Sequence, residues 1–270
     1  MPGGSVSSLV PGDALRRQVH VWLLFADERS SMAESEVLSA ADSAEAAALP
    51  PEDLRKRFLA ARCALRNVLS LHADTLPEAW TFRRNKWGRP EINGADCGLR
   101  FSISHGEGMT AIAVTRGMEV GVDIVSVRRN VDTIGMAEFA FASSEIAELR
   151  AMDCGAARER FFDLWALKEA CVKARGTGFW EKPQHFAFAF PAAGTIEHKS
   201  DAAARRGKRQ FVLASAPLGH RLAVAVESGV RRQPCIVARV WPGGKTCPLR
   251  ILAQGTNGRA MLRPGALRRD

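Results

Sequence analysis

Arg160 to Gly178, RFFDLWALKEACVKARGTG, decides how this chain is read. At about 100° per residue, Cys171, Leu164, Phe161, Val172, Trp165 and Phe162 share one broad apolar sector, which predicts an amphipathic helix. Lys168 and Glu169 fall inside that sector. Charges on a core-facing stripe are costly unless they are paired, hydrogen-bonded or bound to a metal or ligand. Two readings stay open. Glu169 and Lys173, four residues apart, form a local ion pair on a half-exposed rim, or the sector lines a site. Gly176-Thr177-Gly178 ends the helix.

A second misplaced acid lies upstream. Met118 to Val127, MEVGVDIVSV, is apolar from Val120 to Val125 except for Asp123. Asp123 is either a hydrogen-bonded buried carboxylate or, with Glu169, one of two acids converging on a divalent cation. Oxygen ligation with no His or Cys nearby in sequence suits Mg²⁺. Met109–Thr115 and Met118–Val127 read as a hairpin across Arg116-Gly117. Before them, LRFSISH (99–105) alternates as a strand and runs into Ser104-His105-Gly106-Glu107-Gly108, a polar loop whose backbone N–H groups suit an anion. Neighbouring strand residues point to opposite faces, so Ser104 and His105 do not make a nucleophile–base pair. His105 is open to a structural hydrogen-bonding role as well.

The remaining chain bounds the class. It has 270 residues, 46% hydrophobic and 25% charged, as in a soluble globular protein with a full core. The cysteines 63, 97, 154, 171, 235 and 247 show no metal-ligand spacing. They read as free thiols in a reducing, cytoplasmic compartment. No apolar run reaches membrane-spanning length, so no membrane partner is expected. The net charge is +9, but residues 228–270 hold nine Arg/Lys against Asp270, giving +8 and leaving +1 for the body. That segment reads as a solvated tail or a polyanion site. No nucleic-acid module accompanies it.

In order, residues 1–18 read as a disordered Gly/Ser/Pro-rich segment and 19–118 as an N-terminal half. Residues 119–228 read as a C-terminal half carrying both charged motifs, and 229–270 as a basic, flexible tail. Within them, His20–Phe25 is an expected strand, and residues 33–50 and Glu52–Leu71 are expected helices. Arg55, Arg57, Arg62 and Arg66 on the second helix are solvent-facing or present a phosphate site. Phe139–Met152 is a further expected helix.

Five motifs together resemble a family. Gly121-Val122-Asp123-Ile124-Val125 and Trp165-Ala166-Leu167-Lys168-Glu169-Ala170-Cys171-Val172-Lys173 resemble the two signatures of 4′-phosphopantetheinyl transferases. Arg57–Arg62 (RFLAAR), Gly88-Arg89-Pro90 and Phe101–His105 (FSISH) resemble the upstream motifs of its long, surfactin-type branch. The resemblance implies an α+β fold of two similar halves in pseudo-twofold arrangement, with the active site in the cleft between them. It implies a Mg²⁺-dependent enzyme that moves the 4′-phosphopantetheine of coenzyme A onto a serine of an apo acyl or peptidyl carrier protein. The other product is adenosine 3′,5′-bisphosphate, and the carrier serves fatty-acid, polyketide or nonribosomal-peptide synthesis. By motif position, Asp123 and Glu169 correspond to metal ligands. Glu169 also corresponds to the group activating the acceptor serine, and Lys168 to a lysine near the reacting phosphate. Arg57, Arg62, Arg89, Ser104, His105 and Lys173 correspond to coenzyme A contacts. A basic or apolar surface beside the cleft is expected for the acidic carrier. Two halves in one chain make a monomer sufficient.

One position departs from the long-branch pattern. Val125 stands where that branch usually has a third acid, and Glu119 lies about 13 Å along the strand from Asp123's neighbourhood. In this respect the first motif is similar to that of holo-acyl-carrier-protein synthases, which use two acids. The competing reading is a noncatalytic coenzyme A- or carrier-binding homologue.

Overall fold

A computed structural model of the chain describes residues 17–26, 36–94, 97–177, 182–200, 208–228 and 235–256. The expected disordered start falls almost wholly outside these, as do Gly178 and the basic residues beyond 256.

The first half holds β1 (Gln18–Phe25), α1 (Ala40–Ala47), α2 (Glu52–Ser70), a short hairpin of β2 (Phe82–Arg84) and β3 (Pro90–Ile92), then β4 (Leu99–Gly106) and β5 (Met109–Arg116). The second holds β6 (Glu119–Ser126), α3 (Thr133–Ala140), α4 (Ser143–Ala151), α5 (Cys154–Arg175), β7 (Phe186–Ala189), β8 (Thr195–Ser200), β9 (Lys208–Ala216) and β10 (His220–Ser228). The expected helix 139–152 is two helices, broken at Phe141-Ala142, where Glu145 accepts from the Ala142 N–H and starts α4.

The two halves share a topology that the residues do not display as a repeat. In each, a strand precedes a long helix and a hairpin follows it. The sheet orders are β1-β5-β4 and β6-β10-β9, antiparallel throughout. The expected 109–127 hairpin does not form. β5 pairs with β4 and β1, and after Gly117, at φ +71°, the chain crosses into the second sheet as β6, which pairs with β10.

Alternation then builds four layers. Leu99, Phe101, Ile112 and Val114 face α2 through Leu65, Val68 and Leu69. Val19, Val21, Ala111 and Ala113 meet Val120, Val122, Ile124 and Val224 between the sheets. The opposite face of the second sheet packs on α5. α5 is therefore not amphipathic in the expected sense. Phe161, Leu164, Ala166, Leu167, Lys168, Ala170, Cys171 and Ala174 are all buried, so most of its circumference is core.

Residues 235–256 are not a flexible tail. β11 (Cys235–Trp241) adds to the first sheet parallel to β1, and β12 (Arg250–Thr256) adds to the second antiparallel to β9. The Ile/Val/Ala content of CIVARVW satisfies a half-buried edge strand, whatever the charge of the residues around it.

Candidate active site

The sheets meet where β4 and β6 run side by side at their edges. No backbone ladder joins these strands. The Ser102 and Ser104 hydroxyls accept from the N–H groups of Val122 and Ile124 at 3.1 and 3.2 Å. The Ser104 hydroxyl also donates to Asp123 Oδ1 at 2.7 Å. Asp123 is on the strand face turned toward α5, and there Lys173 Nζ lies 2.6 Å from the same oxygen and 2.9 Å from Ser104 Oγ.

The approach of α5 follows from small residues. A Cβ at Gly121 would fall 2.0 Å from the Ala170 carbonyl oxygen and 2.4 Å from the Ala174 nitrogen. Gly121 lets strand and helix backbones touch, and Ala166, Ala170 and Ala174 line that side of the helix. Two residues on, Asp123 is thereby brought against the last turns of α5.

Glu169 completes this end of the seam. It is half-buried and has no hydrogen-bond partner among the described residues. Burial raises its pKa; the Lys173 ammonium opposes that shift and the Asp123 carboxylate adds to it. The rim pair of Glu169 with Lys173 is thus not a direct one, because the ammonium goes to Asp123 across the seam.

His105 leaves β4 on the α2 side, exposed at the mouth of the cleft, with Nδ1 3.0 Å from Thr110 Oγ1. The protein around the ring desolvates it. With the charges of Lys173, Arg57 and Arg62, this lowers its pKa to about 4. Arg57 is exposed. Arg62 and Arg66 are buried rather than solvent-facing. Arg62 holds Asp42 at 3.1 Å and Glu45 at 3.2 Å beneath the rings of Phe58 and Phe82, and its Nη1 is buried without a partner. Arg66 is bound by Asp42 and the carbonyls of Pro77 and Trp80.

Two expected site residues stand elsewhere. Arg89 Nη1 donates to Glu119 Oε2 (3.0 Å) and the Ala174 carbonyl (3.2 Å). Its Nη2 donates to the carbonyls of Val120 and Phe101. These bonds tie the first half to β6 and α5, leaving the guanidinium little capacity for a phosphate. Glu119, shared with Arg100, is equally remote from Asp123. Beside it a cavity of about 330 Å³, lined by Arg83, Arg89, Arg100, Phe101 and Glu119, opens at the other end of β4. Lys168 is 3% exposed and faces away from Asp123, into the core beneath α5. There its ammonium meets Glu145 and the carbonyls of Pro183 and Phe186. A helical wheel with one buried face put Lys168 and Glu169 in the same place; a helix buried on most sides separates them.

Val125, where a third acid was looked for, is 6% exposed in the core against α5. Of the acids expected at the site, this leaves Asp123 and Glu169. Among the described residues no three His, Cys, Asp or Glu side chains cluster as a metal site.

A family model described as the 4′-phosphopantetheinyl transferase superfamily matches residues 119–226, the span that holds Asp123, Glu169 and Lys173. The 4′-phosphopantetheinyl transferase AcpT of Escherichia coli strain K12 is 31% identical over 153 residues, covering 54% of this chain and 74% of AcpT. This chain belongs to the 4′-phosphopantetheinyl transferase superfamily. The 4′-phosphopantetheinyl transferase HetI of Nostoc sp. is 29% identical over 168 residues, covering 61% of this chain and 71% of HetI. The gsp transferase of Aneurinibacillus migulanus is 32% identical over 99 residues, covering 37% of this chain and 39% of its own.

Three residues of this phosphopantetheinyl transferase matter to the site without having been singled out in the sequence. Gly121 carries the signal of a glycine inside a strand, which marks a close backbone approach. Asn85 opens the turn before Arg89. Glu145 sits at the third position of α4, where a capping acid is ordinary, and nothing in the sequence pairs it with Lys168.

Proposed function

We propose that the chain transfers the 4′-phosphopantetheine of coenzyme A to the serine hydroxyl of an apo acyl or peptidyl carrier protein, releasing adenosine 3′,5′-bisphosphate. The observation that carries this reading is the convergence of Ser104 from one half with Asp123, Glu169 and Lys173 from the other at the seam. Phosphoryl transfer asks mainly for positioning and charge neutralisation. Lys173 offers a cation that a phosphate oxygen can share with Asp123. The exposed Arg57 and His105, with the unpartnered nitrogen of Arg62, offer donors to a second phosphate. Glu169, with its pKa raised and no partner of its own, suits a base that takes the proton of the carrier serine.

Asp123 and Glu169 are close enough that one charge raises the other's pKa. Such a pair of oxygen donors fits Mg²⁺. An ion held by Asp123 and Glu169 would supply charge neutralisation to the pyrophosphate of coenzyme A. Phe139, 81% exposed on α3, offers an apolar contact for the carrier, and Arg129 on the preceding segment offers charge. Free thiols on all six cysteines suit a cytoplasmic setting, and two halves in one chain suit a monomer. No helix among the described residues is long and apolar enough to cross a membrane.

The test is incubation with coenzyme A, Mg²⁺ and apo carrier protein, read by intact mass. A gain of one phosphopantetheine on the carrier, lost in Glu169→Gln, is expected. No gain across several carriers, despite coenzyme A binding, overturns the reading in favour of a noncatalytic binder.

A further inference from the structure

We propose that Glu145 is a positioning residue for the transfer reaction, acting through Lys168 to set the rotation of α5 and so the aim of Glu169 and Lys173. The inference rests on the function proposed above. Glu145 is 1% exposed and Lys168 3%, and their charged atoms are 2.8 Å apart. Lys168 uses all three of its donors, and both oxygens of Glu145 are occupied. Glu145 Oε1 accepts from the Phe188 N–H at 2.8 Å, and Oε2 accepts from the Ala142 N–H at 2.8 Å as well as from Lys168. Lys168 donates further to the Pro183 and Phe186 carbonyls at 2.8 and 2.7 Å and lies over the ring of Phe186. One buried pair thus joins the start of α4, the middle of α5, the turn Pro183–His185 and β7.

Geometry makes this anchor consequential. On one side, the backbone of α5 touches β6 at Gly121. On another, Lys168 fastens it to α4 and β7. Arg89 and Asn85 hold only the C-terminal end of α5, so Lys168 is the attachment that resists rotation of its middle on the side away from β6. Glu169 is the next residue, and Lys173 is just over a turn beyond. Rotating α5 by a small angle carries both away from Asp123. A buried pair seldom adds net stability over apolar replacements of the same size, so its hold on geometry is the stronger reason for it. Lys168 does not need to reach a phosphate for its loss to harm turnover.

The test compares Glu145→Gln, Lys168→Met and the double variant, all assayed at 25 °C by carrier phosphopantetheinylation, with coenzyme A binding measured by calorimetry. Glu145→Gln keeps the shape and one acceptor, and it lies away from the cleft. Each single variant is expected to lower kcat about tenfold or more. KM and Kd for coenzyme A should stay within about threefold, and the double variant should lose little beyond either single. Lys168→Met that weakens coenzyme A binding while Glu145→Gln does not would return Lys168 to the phosphate and overturn the inference. So would independent, multiplying losses. If Lys168→Met does not fold, Glu145→Gln alone decides: unchanged kcat overturns the proposal. A wild-type chain that transfers nothing overturns the function on which it rests. Transfer by the wild type together with unaffected variants overturns only the positioning role.

Discussion

Asn85 Nδ2 lies 3.0 Å from the carbonyl oxygen of Gly176, so a turn of the first half closes the end of the long helix of the second. The last carbonyls of a helix have no partner within it. Here Asn85 takes Gly176, and Arg89 takes Ala174 with a positive charge, the sign that a helix C-terminus favours. The Asn85 side-chain oxygen also accepts from the N–H groups of Trp87 and Arg89, which shapes the turn. Asn85→Ala should cost about 1–2 kcal/mol of stability and lower kcat by a larger factor than it raises KM. Urea unfolding and steady-state kinetics on the same variant check both.

Removal of residues 234–270 should leave a chain without a cooperative unfolding transition. It deletes the full ladder of β11 on β1 and the β12 strand beside β9, exposing two long edges. Ending the chain at 256 instead should preserve both strands and the activity. A thermal melt of the two shortened chains separates a structural segment from an appendage. A cooperative melt in the shorter one would contradict the sheet assignment.

Val125→Glu tests the absent third acid. Val125 is 6% exposed among the apolar residues under α5, so a carboxylate there has no water, and Arg221 opposite it is already held by Asp163 and Glu159. The expected loss is about 3 kcal/mol or more, seen by chemical denaturation, with no gain in divalent-ion affinity by calorimetry. A stable variant with tighter binding would place the side chain on the cleft after all.

Phe139 supplies a test of carrier docking. Phe139→Ala should raise KM for the carrier severalfold while leaving coenzyme A binding unchanged, since the ring is 81% exposed and supports no core. An unchanged carrier KM would move the docking surface away from α3.

Acid should destabilise the fold before it reaches ordinary carboxylate titration. His20, His72 and His198 are buried, and burial lowers their pKa values to about 4, 3 and 4. Their unfolded values are near 6.5, so between pH 6.5 and 4 the unfolded chain binds the more protons and stability falls with falling pH. The slope approaches about 1.4 kcal/mol per pH unit for each histidine. Burial raises the pKa of Glu145, Asp163 and Glu169, which offsets part of this at the acidic end. Urea unfolding at pH 7 and pH 5 should show the loss, and His198→Phe, stacked on Phe211, should shrink it. Equal stability at both values would mean that the rings are protonated in the folded chain.

What the sequence displayed and what it hid divide along physical lines. The acid inside GVDIV and the acid in WALKEACVK stood out because each broke an apolar pattern, and the charge of Asp123 acts on Glu169 across the seam. The class of fold came with the family resemblance of five ordered motifs rather than from any one segment. Lys168 was misplaced because periodicity reports that a residue is buried, not which of several buried sides it faces. Arg89 was misplaced because a guanidinium that caps a helix and one that binds phosphate are written with the same letter. The strands at 235–256 were obscured by counting charge over a window whose basic residues, Arg239 and Arg250 apart, lie outside the two strands. The crossover at Gly117 was hidden because two adjacent strands in sequence look like a hairpin until each finds a better neighbour.

The pairing of β11 with β1 has a consequence for how the protein is made. β1 leaves the ribosome long before its parallel neighbour, Cys235–Trp241. Until then the first sheet has an open edge and the second lacks β12. Synthesis therefore passes through a long interval in which most of the site residues exist but the frame that aligns them does not. A chain stalled before residue 235 would need protection rather than display partial activity.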